Sequence, residues 1–301
     1  MSSKGIAATI VSAMLFGATP ILVSKVYAFG ATPETVSFYR GLFAIVVLLI
    51  VCAVRRYDMR FTKKQLAAIV PAGIFIAATN VMLYSAYDYI GVGTSTTLHF
   101  MYPVFVVMGC RLFGEKIGRV RGAALLAACV GMAFFLDPTG GLSITGIALA
   151  LISAVTYALY MILVDKLGLK AIPPFKLSAA LMIVGAVCLL LYDIPMQRIV
   201  YVLPVQAFVM IAIVAVCASV FAVVLLQEGI VLLGSGTASI FCTFEPLTSV
   251  VMGCLFLKET LELRSLIGSL IILAAVTLLA VGERMQEKRR KECTANGQMQ
   301  N

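Results

Sequence analysis

The chain has no tryptophan, a single histidine, and only 23 basic and 14 acidic side chains in 301 residues. Charged residues at 12%, against 61% hydrophobic, exclude a soluble domain of this size, which would need far more polar surface. With His99 alone, a metal centre built from several imidazoles is excluded. Paired metal-ligand motifs, a Ser-His-Asp constellation and a phosphate loop are all missing, so no enzyme is indicated and no cofactor or metal is expected. The alternation over about ten residues that marks membrane β-barrel strands is absent as well. The eight cysteines, at 52, 110, 129, 188, 217, 242, 254 and 293, lie within apolar stretches or in the polar C-terminal segment, and no disulfide is expected.

What is present is a succession of apolar stretches close to the roughly 20 residues that cross about 30 Å of hydrocarbon. Ten are predicted, over 4–26, 33–54, 65–88, 91–113, 119–136, 142–165, 174–192, 205–230, 234–257 and 262–282. The fold class expected is all-α integral membrane, with ten transmembrane helices. The first stretch is too long for a cleaved signal and has an internal counterpart, so it is expected to stay. With the N-terminus in the cytoplasm, 18 of the 23 basic residues fall on that side, leaving Lys25, Arg40, Arg198, Lys258 and Arg264 elsewhere. Both termini are therefore expected in the cytoplasm, and the net charge of +9 reads as a topology signal with no nucleic-acid partner. In place of tryptophan, Tyr27, Tyr57, Tyr89, Tyr192 and Tyr201 are the candidate interfacial anchors. Residues 283–301 are polar throughout and are expected to form a disordered cytoplasmic tail.

The chain is also written twice. Residues 5–26 match 146–167 at nine of 22 positions, an offset of 141. The offset becomes 143 where Gly91-Val92-Gly93-Thr94 matches Gly234-Ser235-Gly236-Thr237, and 144 where Val106-Val107-Met108-Gly109-Cys110 recurs as 250–254. Two units follow, 1–137 and 142–282. Each holds five helices, an odd number, so the second enters the membrane from the opposite side, a plan shared by many secondary transporters.

The Gly-x-Gly-Thr turns, the mid-helix Pro103 and Glu245-Pro246, and the Glu115 and Glu259 that close the fourth and ninth helices resemble the EamA-type members of the drug/metabolite transporter superfamily. The resemblance spans residues 5–282. It implies two inverted five-helix repeats around a central cavity, and transport, often export, of amino acids or other small metabolites. It does not specify the cargo.

Candidate site residues come from depth, spacing and the differences between the halves. Pro103 removes the backbone partner of the His99 carbonyl, and Pro246 that of Cys242; each is read as a helix break at the substrate site or as a packing kink. Ser235, Ser239, Cys242, Glu245 and Ser249 form one stripe on the ninth helix, and Ser95, His99 and Tyr102 its counterpart on the fourth. Ser95, Ser235, Ser239 and Ser249 are read as packing residues. Asn80, Tyr84 and Tyr87 on the third helix, Tyr157 and Tyr160 on the sixth, and Phe16 and Thr19 on the first complete an amphipathic chamber. An asymmetric cargo should be read where the repeats differ: Arg40 against Leu181, Asn80 against Val223, Tyr84 against Gln227, His99 against Cys242, Tyr102 against Glu245, and Thr19 against Tyr160.

The substrate-binding set is thus Thr19, Arg40, Asn80, Tyr84, His99, Tyr102, Tyr157, Tyr160 and Glu245. A carboxylate at the depth of Glu245 is disfavoured by about 2.5 to 3.5 kcal/mol on insertion scales. It either exchanges protons during transport or braces the break at Pro246. Arg40 either binds a substrate carboxylate or snorkels to the surface; His99 is either a hydrogen-bonding wall residue or a proton relay. Glu115 and Glu259 are read as boundary charges beside Lys116 and Lys258.

The function expected is a secondary transporter in the cell (cytoplasmic) membrane, exporting amino acids or related small metabolites by alternating access. Its partners would be a small-molecule substrate, membrane lipid and, in one reading, protons. The alternatives are a proton-coupled drug efflux carrier and, with less support from the clustered polar residues, a channel.

Overall fold

The structure is a computed structural model that describes the backbone of residues 2–115, 117–134, 143–252, 255 and 263–298. Among these residues the chain is helical with no strand. In the first repeat, α1 spans Ser3–Tyr27, α2 Pro33–Val54, α3 Lys63–His99, α4 Tyr102–Leu112 and α5 Arg119–Ala133. In the second, α6 spans Ile144–Lys166, α7 Pro174–Met196, α8 Val205–Val214, α9 Val223–Leu233, α10 Ser235–Phe241, α11 Phe244–Met252 and α12 Leu263–Gln298. A π-helical segment, Ala215–Ala222, joins α8 to α9, so these three form one span. Six continuous spans are long and apolar enough to cross a membrane, and the shorter apolar helices 102–112 and 266–282 stand beside them.

The breaks in the helices fall where the repeats correspond most closely. The third and fourth spans run together as α3, bent at Gly91 with φ 72° and ψ 165°. The eighth and ninth part at Gly234 with φ 79° and ψ 157°. Both dihedral pairs lie in a region open essentially to glycine alone, which explains the glycine at each turn. The fourth span then breaks between His99 and Tyr102, and the ninth between Phe241 and Phe244, with Pro103 and Pro246 in the first turns of α4 and α11. A proline there removes an N–H that has no helical partner. One expectation is corrected at this break. The Cys242 carbonyl is not left open, because the Glu245 N–H donates to it at 2.9 Å in a tightened turn.

Matched local chemistry recurs at the repeat starts. Ser2 caps α1 by accepting from the Gly5 N–H at 3.3 Å, and Ser143 caps α6 by accepting from the Gly146 N–H at 3.5 Å. The same two glycines admit close crossings. A Cβ on Gly5 would lie 2.9 Å from Leu232 Cβ, and one on Gly146 would lie 2.7 Å from Tyr89 Cβ. The packing is likewise exchanged between repeats: α1 lies against α9 and α11, and α6 against α3 and α4, while α2 meets α7 and α5 meets α12. This reciprocal contact of corresponding elements is what two inverted five-helix repeats around a central cavity produce.

The outward surface is apolar, with Ile50, Leu126, Leu191 and Leu270 all exposed, as a lipid-facing surface must be. Charge collects at the end of the bundle that holds the N-terminus, Arg55, Arg60, Arg111 and Lys170, here called the basic face. The backbone of α12 stays helical to Gln298, past residue 283 where a disordered tail is expected. That stretch is rich in Glu, Arg, Lys, Met and Gln, residues that keep a helix without an apolar face. Lys116, Gly253, Cys254, Lys258 and Glu259 lie outside the described residues.

Candidate functional site

Between the repeats lies a partly open cavity of about 70 Å³. Of the sequence-predicted set, Thr19, Arg40, Asn80, Tyr84, His99, Tyr157 and Glu245 line it. Tyr102 and Tyr160 do not. Both are fully buried behind the wall, held there because their hydroxyls have polar partners inside the protein. Tyr102 donates to Glu245 Oε1 at 3.1 Å; Tyr160 Oη accepts from Gln227 Nε2 at 3.3 Å. Phe16, Pro20, Thr79, Leu83, Tyr87, Thr96 and Phe100 complete the lining. Of these, Pro20, Thr79, Leu83, Thr96 and Phe100 escape the sequence reading. Helical spacing from Asn80 and His99 would have found Leu83 and Thr96.

The walls are aromatic. Tyr102 and Tyr157 meet edge to face at a centroid distance of 4.8 Å, and His99 lies 5.4 Å from each of them. Phe16 closes on Tyr157 at 6.4 Å from α1. The His99 ring is positioned by α6: its Nδ1 is 2.9 Å from Ser153 Oγ, which itself donates to the Ala150 carbonyl at 2.6 Å. The serine proton is thus committed, so Nδ1 carries the hydrogen and Nε2 is left as an acceptor in the neutral ring.

A guanidinium and a carboxyl group face this space, Arg40 from α2 and Glu245 from α11. They do not pair with each other among the described residues. Arg40, 5% exposed, donates from an Nη to Tyr84 Oη, and its guanidinium lies 5.6 Å from the centre of the same ring. Glu245, also 5% exposed, is held by Tyr102. Ser95, Ser239 and Ser249 give their hydroxyls to the Gly91, Gly236 and Gly17 carbonyls, the last bond tying α11 to α1.

Below the cavity, the basic face is crossed by a network that the sequence does not announce. Asp165 Oδ2 accepts from both the N–H and the hydroxyl of Ser235, at 3.0 and 2.8 Å, and so caps α10 beside Gly234. Lys170 bonds Asp165 Oδ1 at 2.6 Å, and Lys166 lies 3.3 Å from Oδ2. Lys166 also pairs with Glu115, which takes a second ion pair from Arg121 at 3.4 Å. Glu115, expected as a simple boundary charge, therefore bridges α4, α5 and α6. Cys110 Sγ adds a contact to Ser235 Oγ at 3.1 Å. Ligand atoms of Cys110, Glu115 and Asp165 fall within 4.8 Å of one another, but lysine ammonium groups already supply the positive charge a metal would bring.

A polytopic helical membrane protein with inverted repeats, a central amphipathic cavity and an ion-pair network at one face has the architecture of a small-molecule transporter. The family model for EamA-like transporters matches residues 3–136 and 144–281, and the chain belongs to that family. An uncharacterized transporter of Archaeoglobus fulgidus is 26% identical over 274 residues, covering 91% of this chain and 95% of the relative. The uncharacterized transporter YcbK of Bacillus subtilis is 25% identical over 272 residues, covering 86% and 87%. A solved crystal structure of a protein 14% identical superposes with a TM-score of 0.76 over 94% of this chain and 100% of its own, which supports the fold.

Proposed function

We propose that this transporter is a secondary carrier that exports amino acids or related small metabolites by alternating access, from the cytoplasm across the cell membrane, with both termini cytoplasmic. The observation that carries the proposal is the cavity itself. Arg40 and Glu245, unpaired with each other, face an aromatic space between two inverted repeats, which suits a compact cargo bearing charge and some apolar surface. The basic-face network supports alternation: it closes one end of the path while the cavity remains open, and corresponding glycine turns offer each repeat a place to bend. The excess of basic side chains on the same end supports placing that end in the cytoplasm. As a carrier the chain needs no catalytic residue, and its partners are the cargo, lipid and, where Glu245 exchanges a proton, hydrogen ions.

The test is counterflow. Proteoliposomes loaded with mixed amino acids and challenged with one labelled amino acid at a time should show saturable exchange for one chemical group. Linear flux without saturation would identify a channel, and exchange confined to drugs would favour the efflux reading, for which the aromatic walls and the Glu245 carboxylate are the supporting features. In Glu245→Gln, a flux that no longer responds to a pH gradient assigns the proton role. An unchanged response leaves Glu245 as the acceptor that holds Tyr102 against the break.

A further inference from the structure

The cavity wall holds a buried guanidinium, Arg40, that makes no ion pair among the described residues. Of the Arg40 donors, one reaches the Tyr84 hydroxyl, and no carboxylate or carbonyl partner accompanies the others among the described residues. No Arg40 nitrogen is both buried and unpartnered, so the remaining N–H groups face the cavity. On the same wall, Tyr87 carries a hydroxyl that is buried and has no hydrogen-bond partner among the described residues. Its ring sits 5.6 Å from that of Tyr84, so Arg40 and Tyr87 flank one tyrosine. A guanidinium and a tyrosine O–H are both donors, and neither has what it needs inside the protein. Burying a cation at this depth without an anion is strongly unfavourable, and so is burying an unmet hydroxyl.

We propose that Arg40 and Tyr87 form a carboxylate-binding subsite, which restricts the cargo to molecules carrying a free carboxylate. The inference rests on the carrier reading and narrows its substrate class. One carboxylate oxygen receives the Arg40 N–H groups, and the other accepts from Tyr87. Charge-assisted donors of this kind are the strong ones, and they discriminate sharply against an analogue that cannot accept them as an anion. A cargo that is only cationic is repelled by the same guanidinium, so the subsite also selects between the two carrier readings.

The test uses thermal stabilisation of the purified full-length protein by free ligand, a readout that does not depend on transport. The probes are the common amino acids and a set of simple mono- and dicarboxylic acids, each beside its methyl ester. At least one acid is expected to stabilise the wild type while its ester does not. Arg40→Gln should weaken that acid by about a hundredfold and Tyr87→Phe by about tenfold, the losses expected when donors to a charged group are removed. Tyr87→Phe deletes one unpartnered oxygen and leaves the fold intact, so it carries the test if Arg40→Gln does not fold. Equal protection by acid and ester, protection by cationic compounds alone, no protection by any acid, or unchanged acid affinity in Tyr87→Phe would each overturn the subsite. An acid that binds as described but shows no counterflow would sink the carrier reading and leave the subsite standing.

Discussion

Gly91 and Gly234 turn the chain with nearly the same dihedrals, φ 72°, ψ 165° and φ 79°, ψ 157°, at opposite faces of the molecule. Their surroundings differ. Beyond Gly234, the first N–H and hydroxyl of α10 are captured by Asp165, which two lysines hold in turn. Beyond Gly91, the hydroxyls of Ser95, Thr96 and Thr97 each donate to a carbonyl of their own turn. The residue that corresponds to Asp165 is Ser24, whose hydroxyl goes to the Ile21 carbonyl of its own helix. Among the described residues, a near-identical hinge is therefore latched by a carboxylate at the basic face, while Ser24 stands where its counterpart would have one and Glu259 lies outside them. The cavity, lined from Thr19 to Arg40 and Tyr87, lies in the half of the bundle away from that latch.

The largest effect is expected from removing the latch. Asp165→Asn keeps the cap geometry but leaves Lys166 and Lys170 without their anion. The destabilisation should be about 2 to 3 kcal/mol, low for a broken buried pair because Lys170 is 38% exposed. Thermal melting in detergent measures it, and a loss no larger than that of a surface variant would show that the network seals nothing. The hinges come next. Gly91→Ala and Gly234→Ala should each lose about 1 to 3 kcal/mol through backbone strain. The two losses should agree, since a Cβ at Gly91 meets nothing within 4 Å and one at Gly234 meets only Asp165 Oδ2 at 3.8 Å. Unequal losses would mean that the turns are not the same device. Lys166→Met should have a smaller effect, about 1 kcal/mol, because Glu115 keeps Arg121 as a partner and is itself 32% exposed. Lys4→Gln breaks a 3.8 Å pair with 75% of the lysine in solvent, and its melting curve should overlay the wild type.

Much of this comparison is legible before folding. The Gly-x-Gly-Thr pairs, the prolines and the apolar periodicity are local signals, and a span or a break is a local event. The repeat adds the one long-range fact that sequence carries well, the inversion of the second half. The chamber residues followed from face and depth, which is why seven of the nine predicted side chains line one cavity. Tyr102 and Tyr160 share those faces, and only the positions of Glu245, 143 residues away, and Gln227, 67 residues away, turn them inward. Asp165 was hidden for the same reason. Beside Lys166 at the end of an apolar stretch, it resembles any interfacial charge, and its partner Ser235 is 70 residues distant. The π-helical segment of the eighth span was also not legible, since Ala-Val-Cys-Ala-Ser-Val-Phe-Ala carries no signal that separates it from an ordinary apolar helix.

The latch itself can be probed with a thiol the protein already has. Cys110 is 2% exposed and touches Ser235 within the network. In a variant that retains Cys110 as its one cysteine, a water-soluble maleimide should label it slowly, and Asp165→Asn should raise the labelling rate by about tenfold or more, as expected when a closed element becomes readily opened. Equal labelling rates with and without the Asp165 carboxylate would contradict the assignment of the basic face as the closed end of the transport path.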